Sequence, residues 1–184
     1  NSLNDYIARL QYLFRERKST ADVLVYLPLF ADETSAQFAP VINALDDARL
    51  EWDWINEELI ESATYDNGII VNGKTYDALV LPDVSSIPVS TMTAIDQLSS
   101  AGAPIAIYGT TPYMQPSYSA GDYAAQDAIV ANLAQAMITR ENSPSFDDAA
   151  QMAAFVKENS NPEITYDTNQ NLAAMRRDLG NNGQ

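Results

Sequence analysis

The chain has 184 residues, 46% of them apolar, which suits one domain with a hydrophobic core. Its 10 Lys and Arg stand against 25 Asp and Glu, and the resulting net charge of −15 excludes nucleic acid as an expected partner because phosphates are repelled. Cys and His are both absent, which excludes disulfides, thiolate or imidazole metal sites, and Cys-His or Ser-His-Asp catalysis. Any chemistry performed by this chain must therefore use carboxylates, Lys or Tyr.

Acidic residues are concentrated in one stretch of the first half. Ten carboxylates but only one basic residue, Arg49, lie between Asp32 and Asp66. Such a run is usually a solvated face, so we expect neither a metal site nor a cofactor there. No apolar run approaches the roughly 18 residues that span a bilayer, and the N-terminus lacks a signal-peptide pattern. The sequence therefore predicts no membrane contact.

The first 18 residues are predicted to form an amphipathic helix, because their apolar residues recur at helical spacing. These apolar residues are Leu3, Tyr6, Ile7, Leu10, Leu13 and Phe14. The chain begins without Met, at Asn1 inside this predicted helix, which favours a fragment excised from a longer multidomain protein.

Short apolar runs predict the buried strands of a parallel sheet. The predicted strands are 21–27, 51–55, 77–82 and 104–108, with a further short strand at 163–166. The runs 22–26, 77–82 and 104–108 are the most continuously apolar, so we expect them at the centre of the sheet. Asn72-Gly73 predicts a two-residue hairpin turn before the third strand.

Helical patterns alternate with these strands. Four helices are predicted from periodicity, at 35–48, 88–101, 146–157 and 169–179. A short helix is predicted after the cap Asn56. A long helix is predicted to end near Thr139, and Ser119 and Asp122 precede it at the spacing of a capping box. Alternation of this kind predicts an α/β fold: a three-layer, doubly wound, mainly parallel sheet of about five strands, flavodoxin-like in type. We expect one domain over 1–184, with an N-terminal helix (1–18), a core (19–140), and C-terminal helices with one short strand (141–184).

Doubly wound sheets bind ligands beyond the carboxyl ends of their strands. The loop after the first strand reads Pro28-Leu29-Phe30 and has no Gly-rich phosphate loop, so flavin and dinucleotide binding are not expected. Polar or aromatic side chains follow the third and fourth strands and are the candidate ligand-binding residues. They are Asp83, Ser85, Ser86, Thr110, Tyr113 and Tyr118.

Two other groups have a structural and a functional interpretation. Trp52 and Trp54 share one face of their strand and could stack on sugar rings, but we expect them to pack under a covering helix. Asp53 and Glu57 could serve as acid and base at glycosidase separations, but one lies in a strand and the other in the first turn of a helix. We therefore expect no catalytic residue in this chain.

Residues 76–109 resemble the central stretch of class I glutamine amidotransferase-like domains, in which the second strand leads to a nucleophile elbow bearing Cys. The corresponding segment here is Tyr108-Gly109-Thr110. Since the chain has neither Cys nor His, the resemblance implies the fold without the amidotransferase activity.

Four segments also resemble bacterial α-L-rhamnosidase-like enzymes, in which degenerate amidotransferase-like domains occur as middle modules. They are residues 8–18 running into ADVLVYLP, EWDWINEELI at 51–60, GIIVNGKTYDALVLPD at 68–83, and Met175-Arg176-Arg177. In such enzymes the acid and base belong to a separate barrel domain, and no segment here matches it.

The resemblance implies a non-catalytic structural or accessory module that packs against or orients the catalytic domain of a glycoside hydrolase. Its expected partners are a catalytic barrel and a β-sandwich of the same polypeptide, in a secreted or periplasmic bacterial protein. The alternative is an independent carbohydrate-binding or carboxylate-dependent hydrolase domain with its site at the strand ends. A concave site around Asp83, with a second carboxylate nearby, would favour that alternative.

Overall fold

The computed structural model describes Asn4 and residues 21–28, 35–116 and 121–161. The predicted helices at 1–18 and 169–179 and the predicted strand at 163–166 lie outside the described residues. Within the described ranges the chain alternates strands and helices, as the sequence predicts. No helix in these ranges is long and apolar enough to cross a membrane.

Five parallel strands form the main sheet in the order β2-β1-β6-β7-β8. Their bounds are β1 Val23–Tyr26, β2 Trp52–Ile55, β6 Ala78–Leu81, β7 Ile105–Tyr108 and β8 Ser145–Phe146. Every residue of β1 and β6 is buried, and β2 and β8 form the edges. The prediction that the three most apolar runs are central is confirmed, because only such strands can be covered on both faces.

A small antiparallel sheet interrupts the pattern between β2 and β6. It consists of β3 Thr64–Tyr65, β4 Ile69–Val71 and β5 Lys74–Tyr76. At the turn between the last two strands, Asn72 and Gly73 have φ values of 50° and 74°. Positive φ at both central residues is the backbone of the predicted hairpin turn.

Within residues 21–28, 35–116 and 121–161, five helices lie between or after the strands. They are α1 Ser35–Asp47, α2 Glu57–Glu61, α3 Val89–Ser100, α4 Tyr123–Met137 and α5 Ala149–Glu158. The Asn56 side chain accepts a hydrogen bond from the Leu59 amide, so the predicted cap of α2 is confirmed.

One predicted helix start agrees with the structure and another is wrong. Asp122, predicted with Ser119 to precede the long helix, is the N-cap of α4 and accepts a hydrogen bond from the Ala125 amide. Phe146 does not begin a helix but lies in β8, and α5 starts three residues later behind the cap Asp148. A two-residue strand is too short for sequence periodicity to distinguish from a helix start.

The sheet carries an apolar core on each face, because alternate strand residues point in opposite directions. Leu24, Leu79 and Ile107 pack with α2, α3, α4 and the small sheet. Val25, Val80 and Ala106 belong to the second core, to which α1 contributes Val41 and Leu45 and α5 contributes Met152 and Val156. Helices thus cover both faces, and the strand ends remain at the rim, where the candidate residues lie.

Candidate functional site

The loops that follow β6 and β7 are tied together at the carboxyl edge of the sheet. The Tyr113 amide donates to the Ser85 carbonyl at 3.0 Å, and the Ile87 amide donates to the Met114 carbonyl at 3.0 Å. A parallel bridge joins Ser86 to Met114. Backbone contacts therefore bring Ser85, Ser86 and Tyr113 together at the carboxyl ends of the strands, where the sequence predicts them. We call this expectation, that functional residues gather at the carboxyl ends of the strands, the strand-end rule.

Asp83 holds the turn after β7. Its Oδ1 accepts a hydrogen bond from the Thr110 amide at 2.8 Å, and its own carbonyl accepts one from the Gln37 side chain. Gly109 has a φ of 72°, and a Cβ placed on it would lie 2.8 Å from both Cγ and Oδ1 of Asp83. The Asp83 carboxyl group thus occupies the space that a side chain at position 109 would need.

This geometry bears directly on nucleophilic catalysis. A nucleophile elbow places its reactive side chain on a sharp turn between a strand and a helix. The turn after β7 has Gly109, a residue without a side chain, at a φ of 72°. Position 109 therefore provides no reactive group.

The other candidate residues are spread over a range of exposure. Asp83, Ser85 and Ser86 are partly buried, Thr110 is exposed and Tyr113 is 50% exposed, while Tyr118 lies outside the described residues. Among the described residues no cluster of three or more acidic side chains is arranged to hold a metal ion. The Asp83 carboxylate is engaged by the Thr110 amide, and Asp127 of α4 accepts the amide of Gln115 in the loop after β7.

A buried polar pair lies at the ends of β1 and β2. The Tyr26 hydroxyl donates to Glu57 Oε1 at 3.0 Å, and both residues are buried. Glu57 lies in the first turn of α2, as predicted from the sequence, but its contact with Tyr26 was not predicted. The available signal was Tyr26 itself, the one residue with a hydroxyl in an otherwise aliphatic strand, since a buried hydroxyl needs a hydrogen-bond partner.

A second polar cluster links β2 to the small sheet. Asp53 Oδ2 lies 2.9 Å from Lys74 Nζ and accepts a hydrogen bond from the Tyr76 hydroxyl at 3.0 Å. The Lys74 ammonium also lies 4.0 Å from the centre of the Tyr76 ring. Burial first, and then the Asp53 carboxylate, raise the pKa of Tyr76 above its ordinary value. Asp53 and Glu57, weighed above as an acid and base pair, each contact a different tyrosine.

The two tryptophans lie at the open edge of the main sheet. Trp52 and Trp54 are in edge-to-face contact with ring centres 5.0 Å apart, and Trp54 contacts Phe38 of α1 in the same way at 5.5 Å. Trp52 donates from Nε1 to Asp46 Oδ1 at 3.0 Å and packs against the core. The predicted packing under a helix is confirmed for Trp52, whereas Trp54 remains 40% exposed because β2 is an edge strand.

Comparison with known proteins assigns this α/β chain to the glycoside hydrolases. The family model described as alpha-L-rhamnosidase, glycosyl hydrolase family 106, matches residues 1–181, and the chain belongs to this family. A protein of Formosa agariphila described as "Putative beta-glucuronidase" is 32% identical over 131 residues, which cover 70% of this chain and 11% of that protein. The chain therefore spans only a small part of this relative. No solved structure matches significantly.

Proposed function

We propose that this domain is a non-catalytic accessory module of a multidomain glycosidase, and that it packs against or orients the catalytic domain. The observation that carries the proposal is the turn after β7, where Gly109 has no side chain and the Asp83 carboxyl group occupies the adjacent space. In this interpretation the usual ligand edge of a parallel sheet has become a structural contact.

The architecture supports a flavodoxin-like, amidotransferase-like origin for the module. Numbering only the parallel strands along the chain gives the spatial order 2-1-3-4-5, which is the flavodoxin-like order. Helices α1 and α5 lie on one face of the sheet, and α2, α3 and α4 lie on the other. Such a three-layer fold, with Gly109 at the elbow position, fits an amidotransferase-like domain that has lost its nucleophile.

The catalytic acid and base are proposed to belong to another domain of the same polypeptide. A glycosidase needs two carboxyl groups facing one another across the scissile bond. Three described carboxylates at the strand ends already serve the fold: Asp83 accepts the Thr110 amide, Asp148 accepts the Ala150 and Gln151 amides, and Glu57 accepts the Tyr26 hydroxyl. Since the relative is about nine times longer than the matched region, a separate catalytic barrel and a β-sandwich are the proposed partners. By the family description, the proposed substrates of the whole protein are α-L-rhamnosides.

Carbohydrate binding at the strand ends is a second candidate. The observation in its favour is the exposed ring of Tyr113, which lies beside Ser85 and offers an aromatic surface next to hydroxyl and carbonyl groups. In this alternative the same loops hold a sugar without cleaving it.

Turnover by the purified chain tests the proposal. We expect no hydrolysis of glutamine or of aryl α-L-rhamnosides above the rate of a matched preparation of the Asp83→Asn variant. Activity that persists through repeated purification of the wild-type chain and disappears in Asp83→Asn would contradict the proposal. A protein preparation contaminated with a host glycosidase would instead show equal activity in both samples.

A further inference from the structure

The open edge of the main sheet carries an aromatic surface, which we call the aromatic shelf and define by Phe38, Asp46, Trp52 and Trp54. Phe38 and Asp46 lie eight residues apart on α1, and they contact Trp54 and Trp52 of β2, respectively. The helix and the edge strand therefore lie side by side in opposite directions, with the aromatic rings between them.

The shelf holds its rings in fixed orientations. Trp54 meets both Trp52 and Phe38 at nearly right angles, with interplanar angles of 74° and 83°. Trp52 is anchored in addition by the hydrogen bond from its Nε1 to Asp46, and Phe38 is buried. An aromatic ring that is already immobilised loses little side-chain entropy when it binds a ligand.

Trp54 is nevertheless open to solvent over 40% of its surface, and the neighbouring Leu27 is 37% exposed. Leu27 and Trp54 lie on the same face of the sheet, because Val25 pairs with Trp54 and Leu27 lies two residues beyond Val25. A fixed, solvent-facing tryptophan beside an exposed leucine is an apolar surface of the kind that marks binding sites.

We infer that the aromatic shelf binds the apolar face of a neutral sugar ring. This inference rests on the proposed function, because a glycan reaches the domain as part of a glycosidase substrate. The C–H face of a pyranose ring is flat and weakly polarised, so it packs on the negative face of an indole. A 6-deoxy sugar, whose methyl group adds apolar area, fits this surface better than a sugar with a hydroxymethyl group.

The charges around the shelf select for neutral sugars. Asp46 belongs to the shelf, Asp47 is exposed next to it on α1, and the whole chain has a net charge of −15. These carboxylates accept hydrogen bonds from sugar hydroxyls, but they repel uronic acids and sulfated sugars. The same charges oppose stacking of this surface on a second copy of the chain.

Tryptophan fluorescence tests the shelf directly, because Trp52 and Trp54 are the chain's two tryptophans. We expect methyl α-L-rhamnoside or a rhamnose-containing oligosaccharide to change the emission with a Kd on the order of millimolar, as for a small solvent-open site. Glucuronic acid at equal concentration and ionic strength should leave the emission unchanged. No response to any neutral sugar, or an equal response to glucuronic acid, would overturn the inference.

Substitutions of exposed aromatic residues localise the response. Trp54→Ala should weaken binding at least about tenfold, with Trp52 emission and circular dichroism reporting that the fold is kept, and Trp54→Phe should restore part of the affinity. Tyr123→Ala, which removes an exposed aromatic ring at the start of α4, is the matched control and should bind like the wild type. Loss of binding in Tyr113→Ala with retention in Trp54→Ala would place the site at the strand ends instead. Because this assay measures binding and the previous one measures turnover, each proposal can fail while the other stands.

Discussion

The strand-end turn and the aromatic shelf differ in how their side chains are used. At the turn, Asp83, Gly109 and Thr110 contact one another, and the Asp83 carboxyl group fills the space beside Gly109. At the shelf, Trp54 is held in place by its neighbours but faces solvent. Whether a side chain is available to a ligand therefore depends here on its local packing and not on its place at the carboxyl edge of the sheet.

The largest effect is expected from Gly109→Ala. The new Cβ would lie 2.8 Å from Asp83 Cγ at a φ of 72°, so conformational strain and overpacking together should lower the free energy of unfolding by about 2 to 4 kcal/mol. Urea denaturation measures this loss. Gly73→Ala is the control, because its φ is 74° but nothing lies within 4 Å of the new atom, and it should cost only about 1 kcal/mol. Equal losses in the two variants would mean that Asp83 does not fill the turn.

The next effect separates the two tryptophans. Trp52→Ala removes a ring that packs on the core and a hydrogen bond to Asp46, and we expect a loss of about 2 to 3 kcal/mol. Trp54→Ala should cost about 1 kcal/mol, because its ring is already 40% exposed. Thermal or urea unfolding of both variants measures the difference. A larger loss for Trp54 would mean that its ring is a core residue and not a free surface.

Tyr76→Phe tests a polar group whose role is structural. Removing the hydroxyl breaks the hydrogen bond to Asp53 and should cost about 1 kcal/mol at neutral pH. Since the pKa of Tyr76 is raised in the folded protein, its contribution to stability is complete below the unfolded value of about 10 and is lost as pH rises above it. Unfolding followed from pH 8 to 11 should therefore show a steeper fall for the wild type than for Tyr76→Phe. Identical slopes would contradict the assignment.

The smallest effect is expected at the strand-end carboxylate. Asp83→Asn keeps an oxygen that can accept the Thr110 amide, so we expect a loss of less than about 1 kcal/mol, whereas Asp83→Ala should lose about 1 kcal/mol. Combining Asp83→Ala with Gly109→Ala should recover part of the loss caused by the glycine substitution, because the crowding carboxyl group is gone. Strictly additive losses would show that the two positions do not interact.

Much of the fold could be predicted from the sequence, because its central strands are continuous apolar runs and its hairpin has an Asn-Gly turn. The two-residue strand β8 could not, since Ser145 and Phe146 show no periodicity and pair with β7 only through the fold.

The candidate site was predicted only in its location. The strand-end rule correctly placed Ser85 and Ser86 beside Tyr113, but it could not show that the Asp83 carboxyl group fills the space beside Gly109, which depends on atomic distances. The exposure of Trp54 could not be predicted either, because the sequence of a strand does not show whether that strand lies at the edge of the sheet. Family membership was indicated by resemblance and is shown by the match over residues 1–181.

The proposal that this domain supplies no catalytic group is tested by steady-state kinetics of the longer protein, the proposed glycosidase, carrying Asp83→Asn. We predict a kcat and a KM for aryl α-L-rhamnosides, the proposed substrates, within about twofold of the wild type, since the substitution removes a charge but no reacting group. A fall in kcat of about a hundredfold or more, in a variant whose unfolding midpoint is unchanged, would refute the proposal and make Asp83 a catalytic residue.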